Sequence, residues 1–125
     1  MITARQVIPL LSVACPSFHS MEDLVYVALG DFARHLLELH QHRQTDSFPA
    51  VVRVIEQLHT EGDGEVREAA TIGLLEDIQN IWANNHVDPE LFGTHLLQES
   101  RKLWDELNAF WRGERRYVGE GLEKQ

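Results

Sequence analysis

A chain of 125 residues, 43% apolar and 25% charged, has the size and composition of one ordinary globular domain and excludes a wholly disordered protein. Its net charge of −9 excludes a general nucleic-acid binder, which needs a basic surface for phosphate. No uncharged apolar run reaches the roughly 18–20 residues of a membrane span, the N-terminus lacks a signal-peptide pattern, and the single cysteine, Cys15, cannot form an internal disulfide, so a cytoplasmic protein without cofactor or membrane contact is expected.

In chain order, Thr3 and Gln6 predict a capping box that opens a short helix through Val7, Ile8, Leu10, Leu11 and Ala14, with Pro9 as a kink point and Pro16 as its stop. Ser20 with Asp23 predicts a second cap. From Met21 the apolar positions Val25, Ala28, Phe32, Leu36 and Leu39 recur at spacings of three and four, which predicts an amphipathic helix to about residue 42, and Gly30 marks a bend or a close helix contact within it.

Ser47 is expected to cap a third helix, with Pro49 in its first turn and Val51, Val52, Ile55 and Leu58 as its apolar stripe. Glu61-Gly62-Asp63-Gly64 closes that helix and opens the next, since glycine ends helices and aspartate caps them. At 100° per residue, a fourth helix over about 65–84 carries Val66, Ala70, Leu74, Ile78 and Ile81 on one side, extended by Leu75 and Trp82, with Glu65, Glu76 and Gln79 opposite. So wide an arc predicts a central helix touched by several neighbours. A short helix over about 89–96 and a longer one over 98–111 follow, the latter with Leu103, Trp104, Leu107, Phe110 and Trp111 as its core side; residues 113–125 are expected to form a mobile C-terminal tail. The plan is all-α: a single-domain bundle of five or six helices over residues 1–112, with a HEAT-like antiparallel hairpin at about 48–83.

The charge is uneven. Residues 56–77 carry seven acids against Arg67 alone, −6 of the total of −9. This segment is either a solvated face that keeps the protein soluble or a docking surface for a basic protein, with Glu61, Asp63, Glu65 and Glu68 as contact residues. Asp77 falls on the apolar side of the fourth helix and is expected either to have a raised pKa or to pair with Arg5, Arg34 or Arg53.

Chemistry-bearing patterns are sparse. His35, Glu38 and His42 follow one flank of the second helix, and Glu56 and His59 have the Glu-x-x-His spacing of di-iron bundles, but the second copy such sites need is absent. Cys15 reads as a small core residue, and neither a nucleophile elbow nor a P-loop occurs.

Three stretches taken together, Leu29-Gly30-Asp31-Phe32-Ala33-Arg34-His35-Leu36, residues 48–80 and Glu99-Ser100-Arg101-Lys102-Leu103-Trp104-Asp105-Glu106-Leu107, resemble a family of short, uncharacterised bacterial all-helical proteins over roughly residues 5–112. The resemblance implies no assigned catalytic residues. Several proteins of this size and acidity are toxin-neutralising immunity proteins, so it also points to that role. The expected function is therefore a non-enzymatic interaction module, of immunity type, that binds a basic partner through its acidic hairpin. The alternatives are a metal-dependent bundle enzyme built on His35, Glu38, His42, Glu56 and His59, and a homo-oligomeric module that self-associates through the aromatic end of the last helix.

Overall fold

The computed structural model describes residues 1–113, so the tail expected over 113–125 lies, beyond Gly113, outside the described residues. Helix α1 (Ala4–Ala14) opens as its sequence predicts: Gln6 Oε1 accepts from the Thr3 N–H at 2.9 Å. Its Val7 and Leu11 are buried. Helix α2 (Val25–Gln41) starts four residues later than the spacing suggests, because the Ser20 hydroxyl is spent on the Glu22 N–H in a local turn, and Met21 is exposed. Helix α3 (Phe48–Glu61) follows Ser47 and carries Pro49 in its first turn, although the Ser47 hydroxyl makes no cap bond.

At the end of α3 the chain reverses through Gly62. A methyl group there would lie 2.3 Å from the Leu58 carbonyl and 2.5 Å from Val66 Cγ1, so only glycine fits. The extended start of the chain locks the same turn: Ile2 donates to the Glu61 carbonyl at 2.8 Å, and Asp63 donates back to Ile2 at 2.9 Å. Among the described residues this isolated bridge is all there is of β-pairing.

The next helix is one rod of three parts: α4 (Gly64–Glu68), a π-helical segment (Ala69–Leu75) and α5 (Glu76–Asn84). Asp63 Oδ1 caps it by accepting from the Val66 N–H at 2.9 Å. In the π segment Ala69, Ala70, Thr71, Gly73, Leu74 and Leu75 are all buried, against α2, α3 and the last described helix. The rod is thus the central helix that its wide apolar arc predicts.

The π segment also corrects the helical wheel. An i→i+5 ladder uses more residues per turn than an α-helix, so side chains beyond it arrive out of phase with a 100° projection. Gln79, expected to face outward, is buried and donates to the Trp104 carbonyl at 3.2 Å, while Ile81 moves to the border of the core.

Helices α6 (Glu90–Gly93) and α7 (Gln98–Trp111) complete the bundle, which among the described residues has six helices, counting the rod as one, where five or six are expected. Gly93 lies under the Trp104 ring, whose atoms would stand 2.6 Å from an added Cβ. Trp104 and Leu107 are fully buried, and Leu103 and Phe110 are partly so, but Trp111 is half exposed and does not join the core as expected. Trp82 is fully buried as well, donating to the Ala33 carbonyl at 3.3 Å and packing edge-on against Phe92. Each such buried aromatic contributes about 1.5–3 kcal/mol by burial alone, so aromatic contacts fasten the short α6 to the rest. Among the described residues no helix is long and apolar enough to cross a membrane.

Candidate functional site

The acidic turn acquires a different character in three dimensions. Tyr26, on α2, lies against Gly73 of the π segment, with its ring atoms 3.2–3.3 Å from where a Cβ would be. It is still 44% exposed, and Ile72 beside Gly73 is 41% exposed. The Tyr26 phenol is pushed above its ordinary pKa, first by partial burial and then by the negative charge of Glu68 and Glu65. A half-exposed aromatic ring is therefore set among the carboxylates of α4. Neither wheel nor charge count foretold it, because Tyr26 is some 40 positions away from them in the chain.

The four expected contact residues divide by role. Glu65 and Glu68 are exposed beside Tyr26. Glu61 is exposed too, but its carbonyl is engaged by Ile2. Asp63 is partly buried and its carboxylate is committed to the cap of α4, so its first duty is to the fold.

The metal candidates fall into separate places. His35 and Glu38 share an open surface depression with Ser17, His19 and Arg34, where Ser17 Oγ lies 2.8 Å from His35 Nε2. His42 turns its Nδ1 to the Glu38 carbonyl of its own helix at 2.8 Å. Glu56 and His59 belong to a buried cluster between α3, the π segment and α7. Among the described residues no three His, Cys, Asp or Glu side chains are grouped to hold a metal ion. Cys15 is buried, in the core.

In that buried cluster, the Glu56 carboxylate accepts from the Glu99 N–H (2.9 Å) and the Ser100 N–H (3.0 Å), taking the N-terminus of α7 as a cap from a neighbouring helix. Burial raises its pKa, but these bonds and His59 outweigh burial, and the net position is below the ordinary carboxylate range. His59 is 6% exposed, with Nδ1 2.8 Å from Ser100 Oγ and Nε2 3.1 Å from Thr71 Oγ1; burial depresses its pKa to about 4. The combination of histidine, serine and carboxylate is not a catalytic triad. Glu56 touches the serine rather than the imidazole, and Ser100 is fully buried, with no approach for substrate.

Asp77 is half-buried over Gly30, with its Oδ2 3.5 Å from where a Cβ would be. Its pKa is raised, by burial first and then by Glu76, against the lowering effect of Arg34. Of the three arginines expected as partners, Arg34 is the one that faces it, while Arg5 and Arg53 line grooves beside α1 and α3. Arg34 itself is paired with Asp31 at 3.1 Å.

No curated protein and no solved structure matches this chain. A family's sequence model does match, over residues 8–112, and it spans the hairpin, the π segment and most of the other helices described above. The chain belongs to that family, described as "Domain of unknown function (DUF7674)".

Proposed function

We propose that the protein is a binding module whose docking face is the exposed ring of Tyr26 with Ile72, Glu65 and Glu68, and whose partner is a protein presenting basic side chains. The observation that carries this reading is Tyr26 itself, half exposed yet held against Gly73 and bordered by two carboxylates. Rigid aromatics beside charge complementarity are the usual anchors of protein interfaces, since the ring gives area at low entropic cost and can accept a cation on its face. A basic toxin neutralised in the cytoplasm by an immunity-type protein is the partner class that the acidity and size of the chain favour.

The test is affinity capture from source cells with identification of the retained protein, repeated with three variants. Tyr26→Ala and the double change Glu65→Lys with Glu68→Lys should each abolish retention while leaving helicity intact. Asp105→Lys, on the exposed side of α7, should retain the same partner. Equal retention by all three variants would remove the reading.

A further inference from the structure

The buried cluster around His59 contains a proton shortage. Four contacts run through it: Glu56 Oε1 to Ser100 Oγ at 2.9 Å, Ser100 Oγ to His59 Nδ1 at 2.8 Å, His59 Nε2 to Thr71 Oγ1 at 3.1 Å, and Thr71 Oγ1 to the Arg67 carbonyl at 3.0 Å. A neutral imidazole supplies one N–H, and each hydroxyl supplies one O–H. Three protons cannot fill four contacts.

Two arrangements keep both nitrogens of the buried ring bonded; giving up either ring contact instead would leave a buried nitrogen without a partner. With the proton on Nδ1, the ring donates to Ser100, Ser100 donates to Glu56, and Thr71 donates into Nε2, so the Thr71 bond to Arg67 is given up. With the proton on Nε2, the ring donates to Thr71, Thr71 donates to the Arg67 carbonyl, and Ser100 donates into Nδ1, so the Glu56 carboxylate loses its hydroxyl donor.

The two losses are unequal. A hydrogen bond to an ionised carboxylate is about twice as strong as one between neutral groups, and Glu56 is held ionised by the α7 amides. The Arg67 contact is between neutral groups one turn apart, at an exposed residue. The Ile55 carbonyl, four residues back on α3, also acts on the ring and can only accept; where α2 has an i−4 contact of this kind, in His42 with Glu38, Nδ1 makes it. Glu56 on α3 and Glu99 on α7 are the charged groups that act on the ring.

We propose that Glu56, acting through Ser100, holds buried His59 in its Nδ1–H tautomer and so turns the Thr71 hydroxyl away from the Arg67 carbonyl, which makes the cap of α7 and the π segment two ends of one proton-ordered switch. Removing the Glu56 charge reverses the order of every proton along the line, and Thr71 returns to Arg67. Glu56 is in this sense a positioning residue for the π segment, although no contact joins it to Thr71 directly.

Nitrogen NMR of the full chain carrying 15N-labelled histidine reads the tautomer, with the His59 signals identified by their loss in His59→Gln. At neutral pH the wild type should show a protonated Nδ1 and an unprotonated Nε2, the reverse of the form that predominates for a free histidine side chain in water. A protonated Nε2 in the wild type overturns the proposal. In Glu56→Ala the pattern should invert, and a retained Nδ1–H there would mean that Ile55 alone sets the ring, which overturns the relay. Thr71→Val should keep Nδ1–H. If Glu56→Ala does not fold, Glu56→Gln replaces it, with the same inversion expected.

Discussion

Burial of His59 holds its pKa well below that of the unfolded chain, and the consequence for stability has a definite sign. Folded, it stays neutral down to about pH 4, whereas unfolded it titrates near 6.5. Between those values the unfolded chain binds the extra proton, so the stability contributed by neutral His59 is complete above about pH 6.5 and is lost as pH falls toward 4. The total is about 3 kcal/mol. Glu56, whose pKa is lowered, adds a loss at more acid pH, because its contribution is present above its unfolded value and disappears below it. Urea unfolding followed from neutral pH to about pH 4.5 should show the decline, and His59→Gln should flatten it. Asp63 and Glu65, two positions apart, give a second contrast at this scale. Asp63→Ala removes the cap on Val66 and should cost about 1 kcal/mol in thermal unfolding, while Glu65→Ala should leave the midpoint nearly unchanged and act on partner binding alone. Sequence marked both as contact residues and also read Asp63 as the cap of the next helix; the bond to Val66 shows that its carboxylate is already engaged.

Among the elements, the apolar spacing that marks α1, α2, α3 and α7 was legible because all four are regular α-helices. Apart from Trp111 at the end of α7, the pattern failed beyond the π segment, where Gln79 and Ile81 exchanged surroundings, and nothing in Ala69-Ala70-Thr71-Ile72-Gly73-Leu74-Leu75 announces a wider ladder. The C-terminal caps show a further mismatch. Helices α2 and α5 both end in Schellman motifs, with Gln44 donating to the Leu39 carbonyl and Val87 to that of Trp82. Their left-handed positions, normally glycine, are Arg43 at φ 58° and His86 at φ 61°. An L side chain there costs about 1–2 kcal/mol before the gain in chain freedom with glycine is counted. Arg43→Gly and His86→Gly should therefore each raise the unfolding free energy by a few tenths to about 1 kcal/mol, measured by denaturant titration. A drop in stability for either would show that the side chain has a contact worth more than the strain.

For the whole molecule, composition, charge and apolar spacing foretold a small acidic bundle of five or six helices, and the six among the described residues agree. They could not foretell which distant residues meet. Tyr26 reaches the face of Glu65 and Glu68 because α2 packs along the π segment, and Glu56 reaches the N-terminus of α7 because α3 and α7 are neighbours. Such meetings depend on tertiary packing and leave no periodic trace. A net charge of −9, with −6 of it in 22 residues, bears on the proposed docking as well. Raising the ionic strength from about 0.1 M to about 1 M shortens the screening length from about 10 Å to about 3 Å. Association through the Tyr26 face should then slow by an order of magnitude or more, with a smaller change in dissociation. Stopped-flow mixing with the identified partner measures both, and a salt-independent on-rate would mean that the acidic face does not steer the encounter.

The bridge between Ile2 and the Gly62 turn has a consequence for that encounter. A link of sequence Glu-Gly-Asp-Gly would by composition sample many shapes, and a ligand would have to quench that freedom on arrival. Here the link is stitched at both ends to the first residues of the chain, so the ordering has already been accomplished in the folding of the free protein. If the proposed docking holds, recognition at this corner would be the meeting of two finished surfaces, with more of the contact energy left to appear as affinity.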